Sequence, residues 1–266
     1  MKVYISADIE GVTGVTSWSE TEKGHSDYPF FVQQMENEVR AACQGALNAG
    51  ANEIWVKDAH DSGRNISPEK VLKNVKLIRG WSGHPFSMIQ ELDDSFDALM
   101  LIGYHSCGGS NHNPLAHTMN PTDVDYIKIN GDYASEFLIH AYAAATVGVP
   151  VAFVSGDMAL CNQVKETNHN IVTLGVKGGI GNSTISINNA LAIELMEKKS
   201  EESLRADLKQ YKIKLPESFE VEIQYSKHGK AYRASFYPGI KQIAPTKLLF
   251  NTKDYFEVLR MMLFLT

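Results

Sequence analysis

Asp8 and Glu10 lie in V-Y-I-S-A-D-I-E-G, Val3–Gly11, an apolar run that stops abruptly at two carboxylates spaced by one residue. A β-strand repeats every two residues, so both acids face the same side of its end. Like charges that close together require a positive partner, most economically a bound metal ion. Further candidate ligands are His60 in D-A-H, His105 in L-I-G-Y-H and Glu136 in S-E. Oxygen and imidazole ligands without thiolate suit zinc, with manganese or cobalt as substitutes. Asp8, Glu10 and Glu136 carry three negative charges and neutral His60 and His105 none, so two divalent ions plus one bridging hydroxide reach neutrality. Such a pair activates water for attack on a carbonyl or phosphorus centre.

Other residues leave their roles open. His117, in L-A-H-T-M, suits a third imidazole ligand, a proton-transfer group or a plain loop histidine. His140 follows Glu136 by four residues and shares its helix face, which fits an E-x-x-x-H ligand pair or a packing histidine equally. Asp58, two residues before His60, is expected to hold an imidazole. Lys177–Ser183, K-G-G-I-G-N-S, resembles an anion-binding loop without the spacing of a phosphate-binding one, and reads as a turn with Asn182 or Ser183 near a helix start.

The elements that must position these residues follow from periodicity. Val3–Ile9, Glu53–Lys57, Val75–Ile78 and Ala98–Ile102 read as strands. Between the first two, Phe31, Met35, Val39, Ala42 and Ala46 form a helix stripe that Gly50 ends; Pro85–Leu92 reads as a second helix. Near-continuous apolar strands alternating with helices indicate an α/β fold, a mostly parallel sheet covered by helices on both faces. Ligands bind outside the carboxyl ends of such strands, so Asp8, Glu10, His60 and His105, each at a strand end, are expected in one crevice. Further on come Tyr126–Ile129, the turn Asn130-Gly131, a helix over Ala134–Val147, strands at Val151–Val154 and Ile171–Val176, and a helix over Ile187–Lys198. Alternating stretches at Phe219–Ile223 and Lys247–Phe250 and a closing helix Tyr255–Phe264 suggest a smaller C-terminal α+β portion, with residues 1–200 as the metal-binding domain and 201–266 as this portion.

The chain has 266 residues, a net charge of -6 and no Lys/Arg cluster, which argues against nucleic-acid or anionic-membrane partners. Three cysteines are too few for a disulfide framework or a Cys-rich zinc site. There is no signal-peptide pattern and no apolar run long enough to span a membrane, so a cytoplasmic protein is expected.

D-I-E-G at Asp8–Gly11, D-A-H at Asp58–His60, P-F-S-M and L-D-D-S-F within Pro85–Phe96, G-Y-H at Gly103–His105, A-H-T-M at Ala116–Met119 and S-E at Ser135-Glu136 resemble the zinc D-aminopeptidase family of the bacterial dipeptide-transport operon. G-D at Gly156-Asp157, V-K at Val176-Lys177 and P-G at Pro238-Gly239 keep the same order, so the resemblance spans nearly the whole chain. It implies a zinc-dependent aminopeptidase acting on the N-terminal residue, of D configuration, of short peptides. It further implies two zinc ions, Asp8 bridging them, Glu10 and His60 completing one and His105 and Glu136 the other, with His117 as the catalytic histidine and His140 outside the ligand set. A large homo-oligomeric ring, a decamer with sites facing an inner chamber, is also implied. Two rival readings are a magnesium phosphatase of haloacid-dehalogenase type, since an apolar strand running into D-x-E-G-V resembles its D-x-D start, and a non-catalytic metal-stabilised assembly protein.

Overall fold

The computed structural model describes Met1–Thr266. In chain order its elements are β1 (Lys2–Ala7), α1 (Tyr28–Asn48), β2 (Glu53–Asp58), β3 (Val75–Ile78), β4 (Ala98–Tyr104), β5 (Val124–Ile129), β6 (Asp132–Tyr133), α2 (Glu136–Thr146), β7 (Val151–Asp157), α3 (Met158–Thr167), β8 (Val172–Ile180), β9 (Ser183–Ser186), α4 (Asn189–Arg205), β10 (Phe219–Tyr225), α5 (His228–Ala234), β11 (Lys241–Ala244), β12 (Lys247–Thr252) and α6 (Tyr255–Leu265).

The large sheet runs β3-β2-β1-β4-β7-β8-β9. All its pairings are parallel except β8 with β9. Its middle strands β4 and β7 are apolar for most of their length and buried at every position, as strands covered on both faces must be. β1 has β2 on one side and β4 on the other, so the strand order reverses there and the chain leaves the sheet in opposite directions. That reversal opens a crevice at the carboxyl ends of β1 and β4.

A second, antiparallel sheet runs β11-β12-β10-β5-β6. Two of its strands, β5 and β6, come from the middle of the chain, joined by the turn Asn130-Gly131 with φ of 54° and 92°. Positive φ at both residues is what a tight hairpin turn needs, and Asn-Gly supplies it at low strain. The hairpin leads directly into α2, capped by Ser135, whose hydroxyl accepts from Leu138 N at 3.2 Å. The smaller sheet thus delivers Glu136 to the large one.

Two sequence expectations are corrected. Pro85–Leu92 forms only a single 3-10 turn at Ser87–Ile89, because Ser87 and Glu91 adopt positive φ and interrupt the helical path. Lys177–Ser183 is a β-hairpin rather than a turn before a helix. β8 continues through Ile180, β9 begins at Ser183, and the helix waits until Asn189, capped by Asn188.

Candidate metal centre

β1 ends at Ala7, and the next residues turn across the end of β4. Asp8 N donates to Ile102 O and Gly11 N to Gly103 O, both at 2.8 Å. A Cβ on Gly11 would lie 1.7 Å from Tyr104 O, so only glycine permits this approach. The crossing turns both carboxylates inward, where Asp8 and Glu10 are each only 2% exposed.

His60 follows β2. Its Nε2 donates to Thr21 O at 3.0 Å, which leaves Nδ1 facing Glu10 Oε1 at 3.0 Å and Asp8 Oδ1 at 3.4 Å. His105 follows β4. Its Nδ1 donates to Ser106 O at 2.9 Å, leaving Nε2 3.4 Å from Glu136 Oε2 and 3.6 Å from Asp8 Oδ2. His117 Nδ1 donates to Leu115 O at 2.9 Å, and Nε2 lies 3.5 Å from Glu136 Oε1. In all three a backbone carbonyl holds the far ring nitrogen and so aims the near one at the carboxylates. The His117 ring stacks on His105 at 4.2 Å and meets Trp18 edge-on at 5.3 Å.

The donor atoms fit metal ions. Asp8, Glu10 and His60 form one buried group with ligand atoms within 4.8 Å of one another, and His105, His117 and Glu136 form another. Donors about 2.0–2.2 Å from one tetrahedral ion stand roughly 3.3–3.5 Å apart, close to the spacings across both groups. Glu10 Oε2 and His105 Nε2 are buried without any hydrogen-bond partner, as expected of atoms aimed at a cation.

The charges respond to this crowding. Burial opposes charge on His60, but the Glu10 and Asp8 carboxylates outweigh it and raise its pKa well above the ordinary value. His105 is driven the same way by Glu136, against its own burial, to about 10. Burial pushes the Glu136 carboxyl up, yet His105 and His117 pull it down to about 2. Asp8 goes up, from burial and the neighbouring Glu10 charge. His117 alone among these imidazoles is lowered, by burial and by His105 beside it, so it stays neutral.

Asp8, Glu10, His60, His105, His117 and Glu136 therefore converge, all but His105 lining one cavity, whereas His140 faces away: its Nδ1 bonds Glu136 O at 2.7 Å. Asp58 holds no imidazole, contrary to expectation. Its carboxylate accepts from Asn65 Nδ2 at 2.9 Å and Ile66 N at 2.6 Å, and Asn65 Nδ2 also reaches His60 O at 2.7 Å, so Asp58 fixes the loop that carries His60. Sequence reasoning missed Lys177 as part of this site. Wholly enclosed, its ammonium donates to Glu10 O and Val15 O, each at 2.5 Å, and clasps the loop after β1. The only sign of it was V-K among the shared motifs. Asp157 performs a similar task across the sheet, accepting from Ser106 N at 2.7 Å and Asn113 Nδ2 at 3.0 Å.

The cavity measures about 690 Å³, and its outer part carries Trp18, Trp81, Glu22 and Asp61. Trp81 is fixed by its indole N–H on Asp61 O at 2.7 Å and by Lys57 Nζ 3.8 Å above its ring. No lysine or arginine lines the cavity.

A parallel sheet with carboxylates and imidazoles converging at its switch point, and room above them for a small substrate, defines a metal-dependent hydrolase. The family model described as D-aminopeptidase, peptidase M55, matches residues 1–264, and the chain belongs to that family. A D-aminopeptidase of Bacillus subtilis (strain 168) is 30% identical over 268 residues, spanning 100% of this chain and 97% of its own. The solved structure of the Zn-dependent D-aminopeptidase DppA from Bacillus subtilis, described as a self-compartmentalizing protease, superposes with a TM-score of 0.90 at 28% identity, covering 99% of this chain and 96% of that one. These relationships leave no support for the phosphatase or the non-catalytic reading.

Proposed function

We propose that this protein is a zinc-dependent aminopeptidase that removes the N-terminal residue, of D configuration, from short peptides. The observation that carries the reading is the convergence of three carboxylates and three carbonyl-held imidazoles from distant segments, with orphaned donor atoms at the centre. Two zinc ions fit it. Asp8 would stand between them, Glu10 and His60 would hold one, and His105 and Glu136 the other. Bound zinc would supply a water acidified to a pKa of about 7 and polarise the scissile carbonyl.

The protein's own residues do the rest. With its Nδ1 proton committed to Leu115 O and its pKa lowered, His117 presents a free lone pair at Nε2. It takes a proton from the attacking water and returns it to the departing amine. Glu22 and Asp61, on a cavity that no lysine or arginine lines, favour a substrate whose charged end is an ammonium, which selects amino-terminal over carboxy-terminal attack. Trp18 and Trp81 exclude water from the seated peptide.

Assembly into a homo-oligomeric ring, a decamer working in the cytoplasm, belongs to the same reading. Support comes from the similarity to a self-compartmentalizing protease and from large apolar side chains left in solvent, Phe30, Phe236, Ile180 and Ile185 among them. No helix is long and apolar enough to cross a membrane. The deciding experiment is His117→Ala, expected to retain two zinc ions per chain by elemental analysis while kcat on a D-alanyl p-nitroanilide falls roughly 10²–10⁴-fold. Undiminished turnover would remove His117 from the mechanism.

A further inference from the structure

A second cavity, of about 150 Å³, adjoins the catalytic one. Ser87 and Met119 line both cavities and so form the wall between them. Beyond that wall the surroundings are apolar, supplied by Ile139 of α2 and by Leu259, Met262 and Leu263 of α6. Two polar side chains interrupt them: Thr266, whose hydroxyl already donates to Met262 O at 2.9 Å, and His140. His140 is wholly buried, and because its Nδ1 donates to Glu136 O, Nε2 is left as an acceptor, with no partner anywhere in the structure. An unsatisfied buried nitrogen is uncommon enough to require an explanation.

The wall is unusual too. Ser87 has a φ of 44° and Met119 a φ of 66°, left-handed backbone that such residues adopt only where their surroundings hold them. Met119 N is held by Glu136 Oε1 at 2.7 Å. Wall and floor are thus both bonded to one residue, Met119 to the Glu136 carboxylate and His140 to its carbonyl. That places the second cavity within one residue's reach of the reacting centre.

We propose that this cavity is the subsite for the side chain of the residue being released, and that it selects a neutral, unbranched aliphatic stem ending in a hydrogen-bond donor, as in glutamine. The inference rests on the aminopeptidase reading and extends it to substrate class. The volume suits four or five side-chain atoms at about 30 Å³ each. No acidic or basic side chain other than His140 lines the cavity, so a charged tip would enter without a counter-ion. A donor at the tip satisfies His140 Nε2, and the flexible thioether of Met119 yields to join the two spaces.

The test compares kcat/KM of the zinc-loaded oligomer on D-alanyl, D-methionyl and D-glutaminyl p-nitroanilides. Methionyl and glutaminyl side chains are nearly isosteric and differ in the donor. Methionyl is expected to exceed alanyl by about tenfold or more, and glutaminyl to exceed methionyl by about tenfold. Leu259→Phe, which fills the cavity, should lower the glutaminyl-to-alanyl ratio at least about tenfold, and His140→Leu should abolish the glutaminyl advantage over methionyl. If Leu259→Phe does not fold, Leu263→Trp at a position 40% exposed fills the same space. Equal rates on the methionyl and glutaminyl substrates, or ratios unmoved by the filling variants, overturn the subsite while leaving the peptidase intact. No release from any of the three by the wild-type enzyme defeats both.

Discussion

Zinc binding to this protein should expel protons, because in metal-stripped protein the carboxylates have only the imidazoles to balance them. His105 then carries a proton to a pKa of about 10, and His60 is also raised well above 6.5. Both must be neutral to ligate, so loading at pH 7 should release about two protons per chain. For His105 alone, the three units between pH 7 and about 10 amount to roughly 4 kcal/mol of binding energy spent on deprotonation. With one competing proton at each ion, the affinity for each zinc climbs about tenfold per pH unit near neutrality, and the product of the two affinities about a hundredfold. Isothermal titration in buffers of different ionisation enthalpy counts the protons, and chelator competition at pH 6.5, 7.0 and 7.5 gives the slope. Loading with no net proton release, or zinc affinity that does not change with pH, would refute the assignment of His60 and His105 as ligands facing this carboxylate cluster.

In metal-stripped protein the joint contribution of His105 and Glu136 to stability should be full between about pH 4.5 and 6.5. The folded pKa of His105 lies above its unfolded 6.5, so its contribution is full below 6.5 and is lost as pH rises through about 10. That of Glu136 lies below its unfolded 4.5, so its share is full above 4.5 and is lost as pH falls toward about 2. Urea midpoints across this range, compared between wild type and a His105→Ala, Glu136→Ala variant, check both edges. Gly11→Ala should destabilise by about 3 kcal/mol or more and reduce zinc content, because the added methyl meets backbone that a side-chain rotation cannot move; a thermal shift of less than a degree would contradict it. Lys177→Met leaves Glu10 O and Val15 O without their donor, and should weaken binding of the zinc held by Glu10 at least about tenfold in chelator competition, with Lys177→Arg recovering part of the loss. Unaltered affinity in Lys177→Met would mean that Glu10 is held without the clasp.

Much of this molecule is legible in the chain because its signals are local. Apolar runs of strand length mark β1, β2, β4 and β7, and the stripe from Phe31 to Ala46 marks α1. Parallel strands place their carboxyl ends on one side, so strand assignment alone is enough to group Asp8, Glu10, His60 and His105. Ser87 and Glu91 adopt a backbone their residue types do not announce, which is why the segment after Pro85 reads as a helix.

Residue types along the chain already name the kind of chemistry: carboxylates and imidazoles at strand ends, and no thiolate. Which atom of each faces the centre depends on contacts made only in the folded chain. The ring nitrogens of His60, His105 and His117 are oriented by the carbonyls of Thr21, Ser106 and Leu115, and the loop bearing Glu10 is drawn in by a lysine 167 residues away. A backbone carbonyl is the same in every residue, so periodicity and composition carry no trace of these contacts. They exist only once the sheet has brought the loops together.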